Sequence, residues 1–253
     1  MRSEADWFHY SVDYRIGTRY LDEVIVDNFK CEAMKTPLLR EMLRSDSIYI
    51  SSNITFDNLT PLSAYLGKLG DVTKGGIALT EFLNRQRKHH EAETKALLDT
   101  SEFIRKAKSI YGYDHFICDT SGSICEIVDP ENASDPILTS LSKECLIVYI
   151  EESDEHKDAL KARFDRAPKP MFYNEQFLIA LWKEYLKENN VEDEAVNPDA
   201  FIRWGYARLI DWRAPRYRAI AANWGVSIPA SEIATVATSD QFLDVVDRAV
   251  AAL

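Results

Sequence analysis

Short apolar runs alternate with helical patterns along this chain, and that alternation limits the folds that it can adopt. The clearest run is CLIVYIE, residues 145–151, which is continuous in apolar, β-branched and aromatic side chains. Such a run is typical of a strand that is covered on both faces. With WFHYSV at residues 7–12 and HFIC at residues 115–118, it predicts one parallel sheet wrapped by helices in an α/β protein.

A single aspartate follows the HFIC run. In YDHFICDTSGSICEI, residues 113–127, the apolar strand ends at Asp119, and small polar residues with turn chemistry come next. Asp119 is therefore predicted at the carboxyl edge of the sheet, where open α/β sheets bind their ligands. The alternative is a turn aspartate that caps the following segment.

Helical spacing predicts the elements between the strands. GGIALTEFLNRQRKHHEAETKALL, residues 75–98, predicts one long amphipathic helix with adjacent His89 and His90 on a solvated face. Near the carboxyl end, PDAFIRWGYARLI predicts a helix, DWRAPRYRAIAANWG a separate segment, and VSIP a short strand or turn. Because no repeat or linker interrupts the pattern, residues 1–253 are predicted to form one α/β domain with a helical C-terminal part.

Charge and hydropathy limit the classes of partner that this chain can bind. The net charge of −11, from 30 basic and 41 acidic residues, argues against nucleic acid bound over the whole surface. No apolar run approaches the roughly 20 residues that span a membrane, and the first residues lack signal-peptide features, so we expect a cytoplasmic protein without membrane contact. The four cysteines have no metal-ligand spacing and predict reduced thiols. Clustered arginines suggest sites for a small anion, with surface ion pairing as the alternative.

Five segments together carry a resemblance: HYSVDYRIGTRYLDE, LRSDSIYISSNITFDNL, YGYDHFICDTSGSICE, APKPMFY and WRAPRYRAIAANWG. They resemble a family of bacterial P-loop ATPases related to small-molecule and nucleotide kinases, over nearly the whole chain. The resemblance implies a P-loop NTPase-like (kinase-like) parallel sheet flanked by helices, with Asp119 on the Walker B strand. It also implies an ATP-dependent phosphotransferase or ATPase that uses Mg²⁺ and ATP and acts on a small anionic acceptor.

The chain departs from that family at one place. It has no GxxxxGK[ST], the loop whose backbone amides and lysine hold phosphates. The start of the chain resembles the family's second strand and the tail of the preceding helix, so the first strand, the phosphate loop and its helix are expected to be missing. We favour a reading frame begun at an internal methionine or cut short over a natural variant that has lost ATP hydrolysis. Either explanation predicts impaired activity and self-association through unpaired strand edges.

The resemblance assigns roles around Asp119. Asp119 would hold Mg²⁺, usually through water, and is the predicted metal residue. Ser121 and Ser123 would bind that water or a phosphate on the substrate.

Further roles fall on an aspartate and on paired arginines. Asp13 would take a proton from the acceptor hydroxyl, while Arg15 and Arg19 would orient the acceptor's anionic groups. An Asp–Arg structural pair is the alternative there. Arg163 and Arg166 lie three residues apart on one helix face and resemble lid arginines that close over the transferred phosphate. With Asp13 and Asp119 they form the predicted catalytic set.

The last predicted contacts concern the nucleotide. Arg216 and Tyr217 are candidates for binding its base or for simple packing, and the sequence does not separate the two. A different class of function also stays open, namely a non-catalytic binding or regulatory protein that holds an anionic metabolite in an arginine-lined cleft.

Overall fold

Two distant segments form the first pair of strands. A computed structural model describes residues 7–253, so the helix tail expected at residues 1–6 lies outside the described residues. Strand β1 (Trp7–Ser11) pairs in parallel with β2 (His115–Asp119), and the register sets Ser11 opposite Asp119. Asp119 is thus the last residue of β2, at the carboxyl end of both strands, as the sequence predicts.

The second pair joins β3 (Ile147–Glu151) to β4 (Gly225–Pro229), again in parallel. The segment VSIP is therefore a strand. Gly225 lies opposite Ile147, and a Cβ at Gly225 would overlap the carbonyl oxygen of Ile147, so the close approach of the two backbones requires glycine there. The predicted α/β class with parallel strands is confirmed.

The prediction of a single sheet is wrong. Within residues 7–253, β2 pairs only with β1 and β3 pairs only with β4, which gives two sheets of two strands. The prediction that residues 145–151 are covered on both faces is also wrong, because the side chain of Ile150 is 46% exposed. An apolar run predicts a strand, but it does not show how much of that strand its neighbours cover.

Helices make up most of the remaining structure. Besides a π-helix (Ile16–Tyr20) and 3₁₀ turns at Val72–Lys74 and Asp193–Ala195, the described residues form α1 (Val12–Arg15), α2 (Asp22–Ala33), α3 (Pro37–Arg44), α4 (Thr60–Leu66), α5 (Leu79–Leu98), α6 (Thr100–Tyr111), α7 (Ile124–Ile127), α8 (Pro136–Glu144), α9 (Asp154–Arg166), α10 (Glu175–Asn189), α11 (Pro198–Trp224), α12 (Ala230–Ile233) and α13 (Ser239–Ala251). Side-chain caps define several starts. Asn174 accepts hydrogen bonds from the first amides of α10, and Thr238 and Gln241 form a capping box on α13.

Helix α5 is the single long helix that the sequence predicts, but the solvated position of its histidine pair is wrong for one member. His89 is 3% exposed, whereas His90 is exposed. Adjacent residues on a helix point about 100° apart, so one can face the core while its neighbour faces water. The charged run around the pair hides the buried stripe.

Helix α11 corrects the prediction of a helix followed by a separate segment. It continues through Pro215 for 27 residues. Proline removes one backbone hydrogen bond and usually ends or kinks a helix, so tertiary packing must hold the two halves together. Arg213 and Arg216, on either side of Pro215, supply such contacts to α7 and its neighbours, as described below.

Two apolar clusters form the core, and α5 and α11 contribute to both. The first cluster surrounds β1, α5 and α8 and includes Phe116 and Ile147 from the two strand pairs. The second lies between α10 and α11 and contains Trp182 and Phe201. None of the helices in residues 7–253 is long and apolar enough to cross a membrane.

Candidate functional site

The carboxyl ends of β1 and β2 bring two aspartates together. Ser11 ends β1 and caps α1, which places Asp13 on the first turn of α1 just beyond the sheet edge. Burial and the negative charge of Asp119 raise the pKa of Asp13 to about 6, although Lys169 and Arg213 act in the opposite direction. The structure thus brings Asp13 and Asp119 to one edge.

The loop after β2 has a defined conformation. Asp119 Oδ1 accepts a hydrogen bond from the Ser121 amide at 3.3 Å, and Ser121 has a left-handed backbone with φ of 66°. This is the turn geometry that the sequence leaves as the alternative for Asp119. Asp119 is nevertheless exposed, so its carboxylate can also reach a ligand above the edge.

Glu93 on α5 lies directly beneath this loop and was missed by sequence reasoning. Its side chain is fully buried, and its Oε1 accepts hydrogen bonds from Ser121 Oγ at 3.0 Å and from Ser123 Oγ at 2.7 Å. Both serines predicted to bind water or phosphate are therefore turned toward Glu93. The spacing of Glu93 within the apolar stripe of Ala92, Ala96 and Leu97 is the signal that could have found it.

A buried ion pair closes the other side of the site. Arg213 on α11 donates through Nε to Glu126 Oε1 at 2.9 Å, and Glu126 also accepts from the Asn174 amide. Burial acts to lower the pKa of Arg213, but the adjacent Glu126 carboxylate raises it above its usual value. This pair joins α7, α11 and the start of α10. It was also absent from the sequence prediction, because the three segments meet only in the folded chain.

Arg15 pairs with Asp99 and not with Asp13. Arg15 Nε donates to Asp99 Oδ2 at 2.8 Å, and Tyr20 Oη donates to the same oxygen at 2.6 Å. Arg15 is thus held in an aspartate–arginine pair, the alternative that the sequence left open, although its partner is Asp99. Arg19, on the π-helix, is exposed. The predicted acceptor contacts of both arginines remain predictions.

Arg163 and Arg166 line a different part of the molecule. Both are exposed on the last turns of α9 and border a cleft of about 490 Å³. The cleft lies beyond the ends of β3 and β4, where Ile150, Leu160 and Ala230 give it apolar walls. Neither arginine forms an ion pair with another residue in the part of the chain that the structure describes.

Arg216 and Tyr217 make internal contacts. Arg216 donates to the carbonyl oxygens of Cys125 at 2.6 Å and Val128 at 2.9 Å. Tyr217 stacks on Tyr149 of β3 with ring centroids 5.4 Å apart. These contacts agree with the packing alternative, and a contact with a nucleotide base remains a prediction.

The β1–β2 edge presents two carboxylates, which are oxygen ligands of the kind that Mg²⁺ takes. Mg²⁺ takes oxygen ligands, commonly one or two carboxylates together with water and phosphate, and Asp119 with Asp13 offers that chemistry. Among the described residues, however, no group of three or more metal-ligating side chains is assembled. The chain also lacks the loop that would fix the phosphates.

Comparison of the chain with protein-family models, with curated proteins and with solved structures finds no match. The site must therefore be interpreted from its own geometry.

Proposed function

We propose that this chain carries the acceptor and metal side of an ATP-dependent phosphotransferase or ATPase of the P-loop, kinase-like type. The observation that carries the proposal is the position of Asp119 at the carboxyl end of β2, beside Asp13 at the end of the parallel strand β1. Ligands of open α/β sheets bind at that edge. The resemblance of five sequence segments to kinase-like ATPases supports the same assignment.

Asp119 and Asp13 suit two different roles at the edge, metal binding and proton transfer. Mg²⁺, when bound, would neutralise charge that develops on a transferred phosphate, and Asp119 would hold it. Asp13, with a pKa of about 6, is mostly ionised at neutral pH and basic enough to accept a proton from an acceptor hydroxyl. Glu93 and the Glu126–Arg213 pair hold the surrounding segments.

The separation of the two sheets is consistent with a kinase-like order. Phe116 of β2 and Ile147 of β3 pack against the same apolar cluster, yet the two strands do not pair with each other. A further parallel strand between β2 and β3 would satisfy the backbone groups on both edges.

A second function has its own supporting observation. The cleft beside Arg163 and Arg166 combines apolar walls with two guanidinium groups that have no ion-pair partner among residues 7–253, which suits an anion with an apolar body, and the lining carboxylate of Glu152 is engaged by Tyr149. A non-catalytic protein that holds such a metabolite needs neither Mg²⁺ nor turnover.

Isothermal titration with ATP, ADP and phosphorylated metabolites, each with and without Mg²⁺, tests both proposals. Each hydrogen bond to a phosphate contributes on the order of 1.5–3 kcal/mol, so without the loop's amides and lysine we expect MgATP binding in the millimolar range or none. Micromolar binding of an anion without Mg²⁺, lost in Arg163→Ala and Arg166→Ala but kept in Arg19→Ala, would favour the binding protein. Clear ATP hydrolysis by residues 1–253 alone would show that the phosphate site is misplaced.

A further inference from the structure

Two buried polar atoms on α5 face each other without other partners. His89 and Glu93 are one helical turn apart and are 3% and 0% exposed. His89 Nδ1 lies 3.5 Å from Glu93 Oε2, and neither atom has another hydrogen-bonding partner within residues 7–253. An unpaired buried polar atom costs roughly 1–3 kcal/mol, so two of them side by side point to a bond between them that a small side-chain movement closes.

The other hydrogen bonds of Glu93 limit which atom can donate in a bond between Glu93 Oε2 and His89 Nδ1. Ser121 Oγ and Ser123 Oγ both donate to Glu93 Oε1, while the Ser123 amide donates to Ser121 Oγ at 3.2 Å. Oε1 therefore already accepts two hydrogen bonds, as a carbonyl oxygen does. Oε2 is left with His89 alone, and the shared hydrogen lies either on Oε2 or on Nδ1.

We propose that Glu93 is a neutral carboxylic acid that donates its Oε2–H to Nδ1 of a neutral His89, and that it acts as a positioning residue for the loop carrying Asp119. His89 is then the tautomer protonated at Nε2, with its ring held against Phe172 at a centroid distance of 4.6 Å. The importance of the loop for phosphate chemistry rests on the function proposed above. The protonation state of Glu93 and His89 is independent of that function.

The surroundings favour the neutral form of both groups. Burial raises the pKa of Glu93 to about 8, with a further contribution from the negative charge of Asp13. Burial, together with nearby His90, lowers the pKa of His89 to about 3. Glu126 on α7 also disfavours a second carboxylate, and it is itself paired with Arg213.

The hydrogen bonds of neutral Glu93 hold the loop that follows β2. Its Oε1 gathers both serine hydroxyls and so fixes the turn that follows Asp119. A glutamine at position 93 has the same shape, with a carbonyl oxygen for the serines and an N–H for His89 Nδ1. Glu93→Gln should therefore preserve the loop, whereas Glu93→Ala should release it.

Infrared spectroscopy of the full chain at pH 7 tests the protonation state. We expect a carbonyl band of a protonated carboxylic acid in the wild type that is lost in Glu93→Gln and kept in Glu91→Gln, an exposed control on the same helix. Absence of that band from the folded wild type would mean that Glu93 is ionised, and the proposal would be wrong.

Amide hydrogen exchange tests the positioning role. Loss of two hydrogen bonds in Glu93→Ala should speed exchange at the Ser121 and Ser123 amides by about tenfold or more, while Glu93→Gln leaves it near the wild-type rate. Exchange in Glu93→Gln as fast as in Glu93→Ala would overturn the role. If Glu93→Ala does not fold, the Glu93→Gln rate relative to wild type still decides it, since a tenfold increase there contradicts the proposal.

Discussion

The pH dependence of unfolding should change when Glu93 is replaced by glutamine. The pKa of Glu93 is about 8 in the folded chain, against 4.5 for an ordinary glutamate. Between these values the folded protein binds a proton that the unfolded chain has released. The stabilisation due to the protonated side chain is fully present below pH 4.5 and is lost as the pH rises through 8. Its loss approaches 1.4 kcal/mol per pH unit within that range.

Two neighbours limit the range in which Glu93 acts alone. The pKa of Asp13 is raised from 3.8 to about 6, so below pH 6 Asp13 also makes the free energy of unfolding fall as the pH rises. The pKa of His89 is lowered from 6.5 to about 3, so between these values the unfolded chain binds a proton that the folded chain does not. His89 therefore makes the free energy of unfolding rise with pH up to 6.5. Above pH 6.5 both contributions are constant. From pH 6.5 to 9 the wild type should therefore lose about 2 kcal/mol relative to Glu93→Gln.

Urea unfolding at several pH values between 6.5 and 9 measures this difference. The free energy of unfolding of the wild type should fall by about 2 kcal/mol more than that of Glu93→Gln over this range, and Glu91→Gln should follow the wild type. Parallel curves for the wild type and Glu93→Gln would refute the argument, because they would mean that Glu93 binds no more protons in the folded chain than in the unfolded one.

Three other predictions follow from the same structure. Joining a strand and a GxxxxGK[ST] loop ahead of β1 should give micromolar MgATP binding and hydrolysis. Asp119→Asn in that protein should abolish turnover while binding is retained, and a fully active Asp119→Asn would exclude the metal role. Arg213→Ala should lower the free energy of unfolding by about 3–5 kcal/mol, since it leaves Glu126 buried without its partner, whereas the exposed Arg218→Ala should cost under about 1 kcal/mol in the same urea assay. Ile150→Lys should reduce self-association in analytical ultracentrifugation by charging an exposed apolar strand, and an unchanged mass distribution would argue against association through β3.

Local patterns predicted the elements better than their assembly. The apolar run before Asp119 and the turn residues after it are local signals, and they placed Asp119 correctly at the end of β2. Which strand pairs with which is a long-range property of the folded chain, and the residues of β2 and β3 alone do not determine it. The continuity of α11 through Pro215 likewise depends on contacts with α7, far away in the chain.

The acidic residues of the site were the hardest to interpret from sequence. Glu93 stands in a charged helix, where a solvated position is the ordinary expectation, and its contacts with the two serines form only in the folded chain. Glu126 follows a strand and a turn and gives no local sign of a buried arginine partner 87 residues further along the chain. In both cases the partner that makes burial tolerable comes from a distant segment.

The charges left at the β1–β2 edge indicate what it can attract. Glu93 in its neutral form carries no charge, and the charge of Glu126 is matched by Arg213. The carboxylates of Asp13 and Asp119 then remain, and the positive charge of Lys169 nearby acts to lower the pKa of Asp13. That lowering does not offset burial and the charge of Asp119, because the pKa of Asp13 is still raised. A cation bound near the two carboxylates would reduce their mutual repulsion, which agrees with the metal role proposed for Asp119.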